Sequence, residues 1–272
     1  MEIFLNFFKL FLIACIIFYG IIFIFLKYHQ EKLIYFPSKN IEHSPLDFNL
    51  EYWNVDLNTN DGNKLSGWFI PERDSSKVII FCHGNAGNIS HYIEKAVFFK
   101  SMGYSTLLYD YRGYGNSTGK SDNKNIYTDF DIIMEYVTKN LNIKPQNIVV
   151  WGWSLGGIPA IYAGSAYNLK GIVLESTFTS IKDTASKLYP TLYFISSWII
   201  KDYNNIYYAQ NLKSPVLSIH SPDDDIIPFE LGRKLFEKIK TKKSFLTISG
   251  SHNEGFYISK NIIKDKFKIF FE

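Results

Sequence analysis

Hydrophobic positions change their rhythm along this chain, and each change marks a different kind of element. From Ile3 to Leu26 they are nearly continuous, broken by Asn6 and Lys9, and Leu10 to Leu26 carries neither charge nor proline. Crossing a hydrocarbon core takes about 20 apolar residues, so this segment is long enough to span. It is apolar on all sides, which argues against a buried amphipathic helix. No small-x-small cleavage site precedes Lys27-Tyr28-His29-Gln30, which argues against a cleaved signal peptide. Residues 1–27 are therefore expected to form a transmembrane anchor and residues 28–50 a connector. The patch Leu33-Ile34-Tyr35-Phe36 is expected to dock on the domain or on the membrane surface.

Past the connector the pattern becomes that of strands. Tyr52–Leu57 and Leu65–Ile70 flank the turn signal Asn60-Asp61-Gly62-Asn63, which predicts a β-hairpin. From Val78 short apolar runs alternate with helical stretches, the signature of a parallel sheet with crossover helices. The predicted strands are Val78–Cys82, Thr106–Asp110, Ile148–Trp151, Gly171–Glu175, Val216–His220 and Phe245–Ile248. The predicted helices are His91–Ser101, Asn123–Leu141, Leu155–Tyr167, Phe229–Ile239 and Phe256–Phe270. Residues 51–272 thus read as one α/β catalytic domain. Within it, residues 179–214 form the longest excursion between strands. They carry Tyr189, Tyr193, Phe194 and Trp198 and read as a small cap over a pocket.

Composition narrows the function classes. The chain has 272 residues, 46% hydrophobic and 17% aromatic, enough for one large core. Net charge is +3 with 20% charged residues, and no basic stripe points to nucleic acid. The two cysteines, Cys15 and Cys82, lie in the anchor and at a core strand's end, so no disulfide framework is expected. No Walker loop, dinucleotide fingerprint or zinc spacing occurs, so neither cofactor nor metal is expected.

The chemistry begins at Gly152-Trp153-Ser154-Leu155-Gly156, between an apolar strand and a helix. In that context Gly-x-Ser-x-Gly describes a sharp turn that presents a serine hydroxyl, with the first helical N–H groups close to developing charge. Such a serine needs a base, and the base needs an acid to set its tautomer. Of the six histidines only His220 and His252 follow Ser154. His220 precedes the acidic residues and reads as structural; His252, after the last strand, is the candidate base. The acid lies within Asp223-Asp224-Asp225. Asp224 is preferred because it stands four residues before Pro228. Adjacent carboxylates raise one another's pKa, so one of the three is expected to be buried against His252. The oxyanion hole is assigned to the main-chain N–H groups of Leu155 and of Asn85, in the turn His83-Gly84-Asn85-Ala86-Gly87-Asn88, with His83 bracing the loop.

Together these motifs resemble α/β-hydrolase-fold serine hydrolases of the bud-emergence-type branch, which includes alpha/beta hydrolase domain-containing protein 13. The resemblance rests on His83–Asn88, Asp110-Tyr111-Arg112-Gly113-Tyr114-Gly115, Gly152–Gly156, His220-Ser221-Pro222-Asp223-Asp224 and Ser251-His252-Asn253. It runs from about Leu33 onward, and the apolar N-terminus also matches. It implies an α/β-hydrolase fold with a mostly parallel eight-stranded sheet, and Asp110–Gly115 as a structural loop beside the site. Ser221-Pro222 departs from the family pattern, which usually has Gly and a small polar residue there.

The expected function is hydrolysis of a carboxylic ester or thioester through an acyl-enzyme, on lipids or S-acylated (palmitoylated) proteins at a bilayer. A non-catalytic membrane-anchored morphogenesis factor with a vestigial site is the alternative from another class, and a peptidase is a third. Oligomeric state is left open. Positive residues lean slightly toward a cytosolic domain. Sequons at Asn88 and Asn116 lean the same way, because a glycan on either would obstruct the active-site face.

Overall fold

Runs of β-branched and aromatic residues, each bounded by turn residues, assemble into one eight-stranded sheet. The computed structural model describes residues 1–73, 75–188, 203 and 205–272. Two short strands, β1 (Phe36–Pro37) and β5 (Ala86–Gly87), pair with each other apart from the main sheet. The main sheet contains β2 (Trp53–Asn58), β3 (Lys64–Ile70), β4 (Val78–Cys82), β6 (Ser105–Tyr109), β7 (Ile148–Trp153), β8 (Gly171–Glu175), β9 (Val216–His220) and β10 (Lys243–Thr247). Its order is β10-β9-β8-β7-β4-β6-β3-β2. The β2–β3 hairpin and the β3–β6 pair are antiparallel; the remaining pairs are parallel.

Strand order reverses between β4 and β7. From β4 the chain crosses outward to β6, then returns to lay β7 on the other side of β4. The crevice at such a reversal, beyond the carboxyl ends of the strands, is where parallel α/β sheets bind ligands. Here it falls at Cys82 and Trp153, beside the serine turn.

Side chains alternate across β7: Ile148 and Val150 enter one core, Val149 and Trp151 the other. The first core is covered by α3 (Asn125–Glu135), α4 (Gly157–Ala166) and α7 (Phe229–Lys238), through Phe130, Ile158, Ile161 and Leu231. The second is covered by α2 (Ile93–Lys100) and α9 (Lys260–Phe271), through Phe99 and Phe267. With both faces covered, β4, β6, β8 and β9 are buried along their whole length.

Some elements end elsewhere than the sequence pattern predicts. Helix α3 stops at Glu135 and a wider turn, Tyr136–Asn140, replaces its expected end. Thr138 Oγ1 donates to the Met134 carbonyl there at 2.7 Å, the back-bonding that bends helices. The expected final helix breaks at Ser259 into α8 (Gly255–Ile258) and α9. Of the expected cap, α5 (Ile181–Leu188) and α6 (Asn205–Gln210) are seen. Tyr189, Tyr193, Phe194 and Trp198 lie outside the described residues.

Helix α1 spans Glu2–Ile34, with a mean hydropathy of 2.7 over its most apolar window and none of that window buried. It is the one helix among the described residues long and apolar enough to cross a membrane. It continues past Lys27, where the anchor was expected to end, so the connector begins as helix. Tyr35 is buried in the domain core, whereas Leu33 and Phe36 remain exposed.

A buried ion pair ties α2 to the sheet. Lys95 Nζ donates to both Glu175 oxygens at 2.7 Å, and Trp151 Nε1 adds a third bond at 2.6 Å. The same ammonium lies 3.3 Å from the centre of the Phe256 ring, just beyond His252 in the chain. Lys95→Met leaves the Glu175 charge buried without its counter-ion and is expected to cost about 3–5 kcal/mol. Lys95→Met with Glu175→Leu is expected to recover much of that loss. Denaturant unfolding of the single and double variants in detergent micelles checks this; a double variant as unstable as the single would refute it.

Candidate active site

Ser154 sits at the tip of the turn after β7 with φ +54°, in the left-handed region. A residue other than glycine held there carries about 1–3 kcal/mol of strain and needs surrounding structure to fix it. The flanking glycines show what does so. A Cβ on Gly152 would overlap the Gly156 carbonyl and the Ala160 methyl, and one on Gly156 would overlap the Cys82 carbonyl oxygen. The Gly-x-Ser-x-Gly spacing is therefore a packing requirement: α4 starts at backbone distance from β7 and β4. A single turn, Ser154–Gly156, leads into α4. Below it, burial pushes the Cys82 thiol up to about 12, so it stays a protonated apolar residue.

Two peptide planes near Ser154 are pinned from behind. In a trans peptide the C=O and the following N–H point in opposite directions. Thr177 Oγ1 donates to the Ser154 carbonyl at 2.9 Å, so the Leu155 N–H of the same peptide faces away from Thr177. Gly157 leaves room for that hydroxyl, since a Cβ there would overlap it. Leu155 stands in the opening turn, where N–H groups lack intrahelical acceptors. In the second plane, His83 Nδ1 donates to the Gly84 carbonyl at 2.7 Å, which turns the Asn85 N–H the other way. The two turns are close: a Cβ on Gly156 would come 2.8 Å from the His83 carbonyl oxygen.

His83 thus does more than brace a loop; it orients the peptide that carries the Asn85 N–H. It is fully buried among the rings of Tyr92, Tyr111 and Tyr114, and burial brings its pKa down to about 4. Asp110 Oδ1 lies 3.6 Å from its Nε2, and burial raises that carboxyl to about 7. The segment Asp110–Gly115 supports the same turn. Tyr111 Oη donates to the His83 carbonyl at 2.8 Å and Tyr114 Oη to the Asn85 carbonyl at 2.6 Å. Asn88 is buried, with its amide donating to the Ser38 and Asn40 carbonyls, so this sequon asparagine is a packing residue.

On the other side of Ser154, His252 stacks on Trp153 with ring centroids 5.2 Å apart. Its Nδ1 donates to Asp224, 2.9 Å from Oδ1 and 2.8 Å from Oδ2. That bond places the proton on Nδ1 and leaves Nε2 as the acceptor. Among the described residues no hydrogen bond joins Nε2 to Ser154 Oγ. Bonds of this kind tighten when substrate is bound.

Each of the three aspartates has its own task. The Asp224 side chain is fully buried. Burial opposes its ionisation, but bonds from His220, His252 and the Ile227 N–H hold its carboxyl well below the usual range. Asp225 accepts the His252 main-chain N–H at 3.0 Å, and Asp223 the Gly250 N–H at 3.4 Å. The run is thus a clamp on the Gly250–His252 loop with one buried member, Asp224. His220 contributes in a way the order of motifs concealed. Its Nε2 donates to the Ile227 carbonyl at 3.0 Å and lies 3.3 Å from Asp224 Oδ2, steadying that carboxylate. Its position at the end of β9, four residues before Asp224, was the available signal.

A cavity of about 220 Å³ opens beside His252; Tyr92, Trp153, Phe256 and Tyr257 line it together with the Lys95–Glu175 pair. Among the described residues no group of three His, Cys, Asp or Glu side chains is arranged to hold a metal.

The family described as serine aminopeptidase, S33, matches residues 73–207. Protein bem46 of Schizosaccharomyces pombe is 31% identical over 220 residues, covering 75% of this chain and 73% of that protein. A membrane protein of Saccharomyces cerevisiae is 30% identical over 239 residues, covering 84% of each. The solved structure of an esterase of Pyrococcus furiosus superposes with a TM-score of 0.74 at 23% identity, covering 87% of this chain and 97% of that one. With a fold and a sequence shared to this extent, the chain belongs to the α/β-hydrolases, in the branch that contains bem46.

Proposed function

We propose that this hydrolase is anchored in a membrane by α1 and cleaves carboxylic ester or thioester bonds with Ser154 as nucleophile, His252 as base and Asp224 as acid. The observation that carries the reading is the bond from His252 Nδ1 to both oxygens of buried Asp224, beside a serine held at φ +54°. Ser154 Oγ attacks the acyl carbonyl while His252 Nε2 takes its proton. Asp224 steadies the imidazolium that results. The Leu155 and Asn85 N–H groups receive the oxyanion. His252 returns the proton to the leaving group, and water then releases the acyl-enzyme by the same steps.

The substrate class follows from surroundings. The aromatic part of that lining suits an apolar acyl chain, and the apolar helix keeps the site near a bilayer. Both favour lipids or S-acylated proteins, with the catalytic domain on the cytosolic side of a single-pass protein. The esterase among the solved structures supports ester chemistry. The aminopeptidase description of the family favours a second reading, cleavage of peptide amides, and nitroanilide substrates test it directly.

Ser154→Ala is expected to abolish fluorophosphonate labelling and to lower ester hydrolysis by at least about 10⁴-fold. Hydrolysis should rise with acyl length across p-nitrophenyl esters and acyl thioesters. A flat or short-chain profile removes the lipid reading, faster nitroanilide cleavage replaces it with peptidase, and an unlabelled folded wild type leaves the non-catalytic factor.

Asp224→Asn exchanges the acceptor of the Nδ1 proton for an amide and is expected to lower kcat on the order of 10⁴-fold. Asp225→Asn touches only the main chain of His252 and is expected to cost less than about tenfold, since it weakens positioning alone. Equal losses in the two variants would refute the assignment of Asp224.

External protease should leave the domain intact in sealed right-side-out vesicles and digest it once they are opened. Digestion of the sealed vesicles would reverse the orientation.

A further inference from the structure

One element of the fold has no part in the proposed chemistry. Strand β1 follows α1 immediately and pairs in parallel with β5, with Phe36 opposite Ala86 and Pro37 opposite Gly87. Two residues of strand contribute little to stability alone. This strand stands where it does because β5 completes the turn that carries Asn85.

The side-chain amide nitrogen and the main-chain carbonyl of Asn85 are both held from outside the turn. Its Nδ2 donates to the Ile34 carbonyl, the last of α1, at 3.2 Å. Its carbonyl accepts the Phe36 N–H at 2.8 Å together with the Tyr114 hydroxyl. The Ser38 N–H donates to the Gly87 carbonyl at 2.9 Å, and the Ser38 carbonyl accepts from Gly115 N–H at 2.9 Å. The turn itself is permissive: Gly84 and Gly87 flank Asn85, and Gly87 has φ +81°. With a hinge on either side, outside bonds decide which way the Asn85 peptides face. His83 holds the peptide before Asn85; β1 and Tyr114 hold the one after it.

We propose that the end of α1 and strand β1 form a positioning element for the Asn85 oxyanion donor, so that the apolar helix and the hydrolytic site are one hydrogen-bonded unit. The inference rests on the hydrolase reading above. It makes Phe36 a positioning residue through its main-chain N–H alone; its ring is half exposed.

The test uses the full chain in detergent micelles. Phe36→Pro deletes the N–H that reaches Asn85, and Tyr35, with φ −107° and ψ 124°, already has a conformation that tolerates a following proline. Its kcat is expected to fall about tenfold to a hundredfold, the cost of a small misplacement of catalytic groups, with KM unchanged. The rate constant for fluorophosphonate inactivation should fall in parallel. Phe36→Ala keeps the N–H and is expected to lose less than about threefold, as exposed side chains generally do. Asn85→Ala keeps its own N–H but drops the bond to Ile34; a fall in kcat at constant KM is expected, and this variant carries the test if Phe36→Pro does not fold. Wild-type kcat in a folded Phe36→Pro protein would overturn the inference, as would equal losses for Pro and Ala, or a rise in KM at constant kcat. An inactive, unlabelled wild type has a different signature: it removes the hydrolase reading first and this inference with it.

Discussion

A backbone N–H has no rotamer of its own, so a donor on the main chain can be aimed only by holding the carbonyl at the other end of its peptide. That constraint organises the region around Ser154. Thr177 holds the Ser154 carbonyl and His83 holds the Gly84 carbonyl, and the two N–H groups turned outward belong to Leu155 and Asn85. The glycines follow from the same requirement. Gly152, Gly156 and Gly157 let α4, β4 and Thr177 come close enough for these bonds to form. The reversal of strand order between β4 and β7 brings the two turns together in the first place.

The acidic side of the site obeys a different rule. A carboxylate stays ionised away from water only when donors surround it. Asp224 has two imidazoles and the N–H groups of Ile226 and Ile227. Its neighbours avoid the same burial by turning outward to the Gly250 and His252 N–H groups. Three adjacent aspartates can therefore sit at one loop without sharing one environment. The loop that carries the proposed base is held at both its side chain and its backbone.

Much of this was legible in the sequence where a local pattern has a single physical cause. Val78–Cys82, Gly171–Glu175 and Val216–His220 are strands over those same residues, because a strand buried on both faces is a continuous apolar run. The serine turn was legible because its glycine spacing is a packing demand. What escaped lacked a period or crossed the chain. A two-residue strand such as β1 has no alternation to detect, and its partner lies some fifty residues on. The order of motifs set His220 aside because it precedes the aspartates, and its contact with the Asp224 carboxylate is visible only in the fold. The helical stretch beyond Lys27 escaped because Lys27 to Lys32 interrupts apolarity without interrupting helix propensity.

That continuation of α1 bears on how substrate reaches the site. A tether needs only a flexible linker, whose length leaves the height of a domain above the membrane undefined. Here the helix runs unbroken from its apolar stretch to Ile34, and Ile34 is bonded to the turn beside Ser154. At 1.5 Å per residue, Leu26 to Ile34 amounts to about 12 Å along the helix axis. Each headgroup layer is roughly 5–8 Å deep, so on the proposed reading the site stands just beyond it. On that reading an offset of this size favours a scissile bond that projects from the bilayer. On the proposed reading the helix contributes to selectivity through distance as well as through residence in the membrane.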